Sequence, residues 1–84
     1  MIPISVDVSR DEAFAAVRLA LSRLPAGHRF EIDERHSNTL FIDHKDDMNI
    51  VFFVRYSHMG QQTVEEVAEC IFAALCRFQL GFEK

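Results

Sequence analysis

The sequence predicts an α+β fold: a two-layer sandwich in the order β-α-β-β-β-α, with a mostly antiparallel sheet and two helices on one of its faces. Three observations lead to this prediction. Two segments repeat apolar residues at helical spacing, and each follows a capping box. Four other segments carry the side-chain period of two that is typical of strands. The 84 residues have the length of a single α+β domain, 1–84.

The first predicted elements are an edge strand and an amphipathic helix. The apolar residues of the strand alternate with polar ones: Ile2, Ile4, Val6 and Val8. Because Pro3 has no N–H to donate, we expect this strand at an edge of the sheet, beside either the second or the fourth strand. Ser9 and Glu12 have the spacing of a capping box. The helix that follows buries one stripe: Phe14, Val17, Leu21 and Leu24. Residues 25–27, Pro-Ala-Gly, end it.

Three further strands are predicted, at about residues 30–35, 39–44 and 49–56. Their register follows from the side-chain period, because a slip by one residue would turn every core residue outward. Three-residue loops at 36–38 and 46–48 pair Ile32 with Ile42, and Ile42 with Phe52. We expect no two-residue loop in either hairpin, since it would pair inward residues with outward ones. One side then faces the helices: Phe30, Ile32, Leu40, Ile42, Phe52 and Val54.

The last predicted helix begins at a second capping box, formed by Thr63 and Glu66, and runs to about Leu80. Its core stripe has helical spacing: Val64, Val67, Ala68, Ile71, Leu75 and Phe78. We expect Gly81 to close the helix, with Phe82 folding back. A second stripe either widens the core or extends an interaction surface: Phe72, Cys76 and Leu80.

Composition argues against several classes of protein. Nine basic residues against thirteen acidic ones give a net charge of −4, and the only lysines are Lys45 and Lys84, so we expect no nucleic-acid partner. No apolar run approaches the roughly 20 residues of a membrane span, and no signal peptide is apparent, which favours a cytoplasmic protein without membrane contact. Cys70 and Cys76 are about 9 Å apart along one helix, so they are expected to remain free thiols.

The sheet face away from the helices is the predicted partner-binding surface. Phe41 and Phe53 are cross-strand neighbours there in the expected register. The surface contains eight residues: Glu31, Asp33, Arg35, Phe41, Asp43, Val51, Phe53 and Arg55. An apolar centre with a charged rim is typical of interfaces. The alternative is an ordinary solvent-exposed face that tolerates a few aromatic residues.

Evidence for catalysis or a cofactor is weak. A metal or small-ligand cluster could be formed by His44, Asp46 and Asp47, with His36 as a further candidate ligand, although no established metal-ligand spacing supports it. The serines lie in no nucleophile motif, and three glycines form no phosphate-binding loop. We therefore expect a protein that is not an enzyme and has no cofactor.

The α-β-β-β-α part of the chain resembles the layout of double-stranded RNA-binding domains and of type III secretion chaperones. The segment 63–66, Thr-Val-Glu-Glu, is acidic where an RNA-binding domain would need lysines. The chaperone layout agrees with small size, acidity and a homodimer. The sequence thus favours a small acidic protein-interaction module, expected to be a homodimer and to bind a protein partner, acting as an adaptor, a chaperone-like protein or a phage- or plasmid-type inhibitor. The alternative is a regulatory domain that binds a metal or small ligand through the His/Asp cluster.

Overall fold

The computed structural model describes residues 2–46, 50–57 and 59–78, with the backbone alone for residues 2, 3, 35 and 36. It confirms the predicted α+β fold and the element order. The elements are β1 (Ile2–Val6), α1 (Arg10–Ser22), a 3-10 turn (Gly27–Arg29), β2 (Phe30–His36), β3 (Thr39–His44), β4 (Ile50–Tyr56) and α2 (Val64–Arg77). Both helices pack on the same face of one four-stranded sheet.

The sheet has the strand order β1-β4-β3-β2. β1 is an edge strand, as the proline in its sequence predicted, and it runs parallel to β4 with Ile4 beside Val54. The other two pairings are antiparallel, so the sheet is mixed but mostly antiparallel. This topology answers the question that the sequence left open, because the first strand flanks the fourth and not the second.

The predicted register is confirmed in the centre of the sheet. Ile32 pairs with Ile42, and Ile42 pairs with Phe52. The side chains that were expected to face the helices form the core together with the buried helix stripes. The fully or nearly fully buried core members from the sheet are Val6, Phe30, Leu40, Ile42, Phe52, Val54 and Tyr56, and Ile32 packs partly buried against them.

The first hairpin differs from the prediction. His36 pairs with Thr39, so the turn has two residues, Ser37 and Asn38, where three were expected. A register shift between Asp33 and His36 absorbs the extra residue as a bulge in β2. The bulge shifts the pairing by one residue, so that the residues of β2 before it still face the side that was predicted. A two-residue turn is therefore compatible with the predicted core. Asn38 has a φ of 65°, a left-handed conformation that Asn tolerates.

The second hairpin also contains a bulge. The register shifts between Ile42 and Asp43, so that Asp43 pairs with Ile50 instead of Val51. Two residues of β4, Ile50 and Val51, thus oppose one residue of β3. The expected loop at 46–48 falls largely in the part of the chain that the structure leaves undescribed.

Both predicted capping boxes are present. At α1, the backbone N–H of Glu12 donates to Ser9 Oγ over 3.3 Å, and the N–H of Ser9 donates to a Glu12 carboxylate oxygen over 3.2 Å. At α2, Glu66 and Thr63 exchange the same two bonds, both at 3.1 Å. These bonds satisfy N–H groups that have no partner inside the helix, and so they fix where each helix begins.

The end of α2 differs from the predicted one. The helix ends at Arg77, and Phe78 is its C-cap residue with half of its surface exposed, so it does not belong to the core stripe. Phe72 packs partly buried against the core, as the core-widening alternative predicted. Leu80, Gly81 and Phe82 belong to a segment outside the described residues. Of the helices described, none is long and apolar enough to cross a membrane.

Candidate interaction surface

The centre of the predicted surface is a pair of aromatic rings on neighbouring strands. Phe41 of β3 lies opposite Phe53 of β4, with 6.0 Å between ring centroids and an angle of 45° between the rings. Both side chains are partly buried, and neither belongs to the core cluster. The side-chain period explains their position, because their chain neighbours on both strands point toward the helices. The pair therefore lies on the sheet face that the helices leave open.

Charged residues flank this pair on opposite sides. Asp33 of β2 is the cross-strand neighbour of Phe41 and is partly buried. Glu31, two residues earlier on the same strand, is exposed. On the other side, Arg55 of β4 is exposed and lies in the row next to the aromatic pair. The face therefore has its acidic groups toward β2 and a guanidinium toward β4. Arg35, also predicted here, has a side chain outside the described part.

Two residues of the predicted surface do not fit an exposed rim. Asp43 is only 1% exposed, although the sequence placed it among solvent-accessible charges. Val51 is partly buried and packs against the core cluster instead of lying beside the aromatic pair as open surface. The β4 bulge gives the physical reason, since it places both Ile50 and Val51 opposite Asp43 and interrupts the regular alternation of side chains at that point of the sheet. We therefore take the surface to comprise Phe41, Phe53 and the charges beside them.

An ion pair that the sequence analysis missed holds the β2 bulge to the first helix. The Arg10 guanidinium donates two hydrogen bonds to the Glu34 carboxylate, one of them over 2.5 Å from Nε. These bonds hold the pKa of Glu34 below its ordinary value of 4.5 and raise the pKa of Arg10. Glu34 follows Phe30 and Ile32 at a spacing of two residues, so the strand pattern could have predicted its position on the helix side.

The predicted His/Asp cluster does not assemble in the described part of the structure. The His44 ring packs against Phe30, with 4.7 Å between centroids, and its Nδ1 has no hydrogen-bond partner among the described residues. Among the residues that the structure describes, no group of three or more potential metal ligands occurs. Asp47 and the side chain of His36 lie outside them. Cys70 is exposed and Cys76 partly buried, both as free thiols.

Comparison with known proteins gives no further guide to the surface. No protein-family model, no curated protein and no solved structure matches the chain.

Proposed function

We propose that the chain is a small protein-interaction module that uses its open sheet face, and that the first occupant of this face is a second copy of the chain. The observation that supports this is the Phe41–Phe53 pair, which lies outside the core on the face opposite the helices. Adjoining aromatic side chains with charges around them are the composition found at the centre and rim of many interfaces.

The charges on the face favour self-association by a two-fold axis. Such an axis, running between β3 and β4 in the plane of the interface, stacks β4 of one copy over β3 of the other. The guanidinium of Arg55 then approaches Asp33 of the second copy, which lies in the neighbouring row beside the aromatic pair. Each copy contributes a positive and a negative side chain, so the two-fold axis brings opposite charges together twice. Asp43 has no part in this pairing because it is buried.

The size of the face sets the strength of the association. Four strands about 4.8 Å apart, each about five residues long, give a face of roughly 19 by 17 Å. Two such faces bury well under the roughly 1,600 Å² of a standard interface. We therefore propose weak, micromolar self-association that a protein partner with a better-fitting surface displaces. This behaviour suits an adaptor, a chaperone-like protein or an inhibitor that acts by occupying a surface.

A charge exchange tests the proposed pairing. Arg55→Glu and Asp33→Arg should each weaken self-association in sedimentation equilibrium, because each creates like-charge contacts across the two-fold axis. The double variant restores opposite charges and should recover most of the wild-type affinity. Arg77→Glu, which makes the same charge change as Arg55→Glu on the exposed side of α2, is the matched control. A double variant weaker than either single one would contradict the arrangement.

A further inference from the structure

A second feature lies on the helix side of the sheet, away from the aromatic pair. A groove of about 660 Å³ runs between α1, the turn at Gly27–Arg29 and the edge strand β2. α1 packs mainly against α2 and contacts β2 at few positions, and this leaves the apolar residues near the β2 edge incompletely covered. The volume falls within the roughly 300–1,000 Å³ that is usual for small-molecule sites.

The floor of the groove is apolar. Phe14 and Leu21 lie on the α1 side, and Phe30 and Ile32 on the β2 side. Phe14 and Ile32 are only partly buried, so hydrocarbon surface remains accessible inside the groove. An aliphatic chain or ring placed there would cover this surface and remove it from water, which is favourable.

The rim of the groove is basic, in contrast to the acidic chain as a whole. Arg18 of α1 and Lys45 after β3 both line it, and both are exposed. Neither forms an ion pair with any residue that the structure describes. The N–H of Lys45 donates to the Arg29 carbonyl over 2.8 Å, which anchors the backbone of Lys45 beside the turn. Glu31 is the one carboxylate among the lining residues, and the side-chain period of β2 directs it toward the open sheet face, opposite Phe30 and Ile32. The lining thus has two exposed cations, and His28 adds an imidazole.

From this combination we propose that the groove binds a small amphiphilic carboxylate, with its apolar chain or ring on the floor and its carboxylate between Arg18 and Lys45. Charge complementarity selects the anion, because the two cations lack ion-pair partners in the described structure. A charge-assisted hydrogen bond would form only when such a ligand is bound. The site is independent of the open sheet face, so either proposal can fail without the other.

A titration of the 15N-labelled full chain with octanoate, followed by amide chemical shifts, tests this proposal. Saturable shifts are expected in the second half of α1 and from Gly27 to Ile32, and none at Phe41 or Phe53. Octylammonium, which has the same chain and the opposite charge, should not bind the groove. Octanoate shifts centred on the sheet face would contradict the assignment. A site with a Kd of about 1 mM is nearly saturated at about 10 mM octanoate. Shifts that do not saturate by that concentration would also overturn the proposal.

Matched charge reversals identify the groups that hold the carboxylate. Arg18→Glu is expected to weaken octanoate binding about tenfold or more, as is typical for a lost charge-assisted hydrogen bond. Arg77→Glu gives the same net charge on the exposed face of α2 and should leave the Kd within about twofold. Lys45→Glu repeats the test on a different element if Arg18→Glu folds poorly. Equal effects of the groove and control variants would show that only net charge matters and would refute the site.

Discussion

Replacing Phe53 by Asp is the most direct perturbation of the proposed association surface. Phe53 is partly buried on the open face and lies outside the core cluster, so the variant should keep its fold. A phenylalanine side chain presents about 150–250 Å², of which we take about 50 Å² to remain exposed at this position. Covering that area contributes about 1 kcal/mol per copy at roughly 25 cal/mol per Å².

Two-fold symmetry doubles this effect. Loss of the apolar contact alone costs about 2 kcal/mol per dimer, which is about 30-fold in Kd. The two new carboxylates must also lose water against an aromatic surface, and this adds several kcal/mol. We therefore expect Phe53→Asp to be monomeric at concentrations where the wild type associates. Sedimentation equilibrium measures the association, and circular dichroism checks that the fold is retained.

Phe78→Asp is the matched control for this experiment. Phe78 is half exposed at the end of α2, so its substitution introduces the same charge at an exposed aromatic position far from the sheet face. The control should associate like the wild type. If Phe53→Asp also associates like the wild type, the open face is not the interface. If it unfolds, Phe53 contributes to the core and our separation of core from surface is wrong.

The remaining predictions concern stability. Ser9→Ala and Thr63→Ala should each lower the free energy of unfolding by roughly 0.5–2 kcal/mol in urea titrations, because each removes a cap, and unchanged midpoints would argue against these caps. Gly27→Ala should lower the free energy of unfolding by about 1–3 kcal/mol, since a Cβ there would lie 1.8 Å from the Leu21 carbonyl oxygen. A variant with an unchanged urea midpoint would contradict that contact. The Arg10 pair depresses the pKa of Glu34, so its stabilisation is present above the ordinary pKa of 4.5 and is lost as pH falls through the lower folded pKa. The urea midpoints of wild type and Glu34→Gln should therefore converge below about pH 4.5, and a gap that stays constant would exclude this linkage.

Local signals were predictable from the sequence, and long-range adjustments were not. The cap residues Ser9 and Thr63 act within one helical turn, so four residues suffice to identify each box. The pairing of Ile32 with Ile42 followed from the side-chain period across a whole strand. The burial of Asp43 did not follow, because it depends on a bulge in a different strand. The groove could not be predicted from the sequence either, because it depends on how α1 is placed relative to β2 and no single periodic pattern encodes that placement.

The two sheet edges help to explain why association should use the face. A free edge strand invites pairing with a second chain, and proline, bulges and charge are the usual means of preventing it. β1 carries Pro3 at one edge. β2, at the other edge, is interrupted by the bulge between Asp33 and His36 and contains three carboxylates, which would meet like charges if two copies paired edge to edge. Both routes to a continuous sheet are therefore disfavoured. The Phe41–Phe53 pair lies on the face and not at an edge, so these features do not oppose its contact with a second copy. We therefore expect a dimer of this chain to stack its sheets and not to extend them.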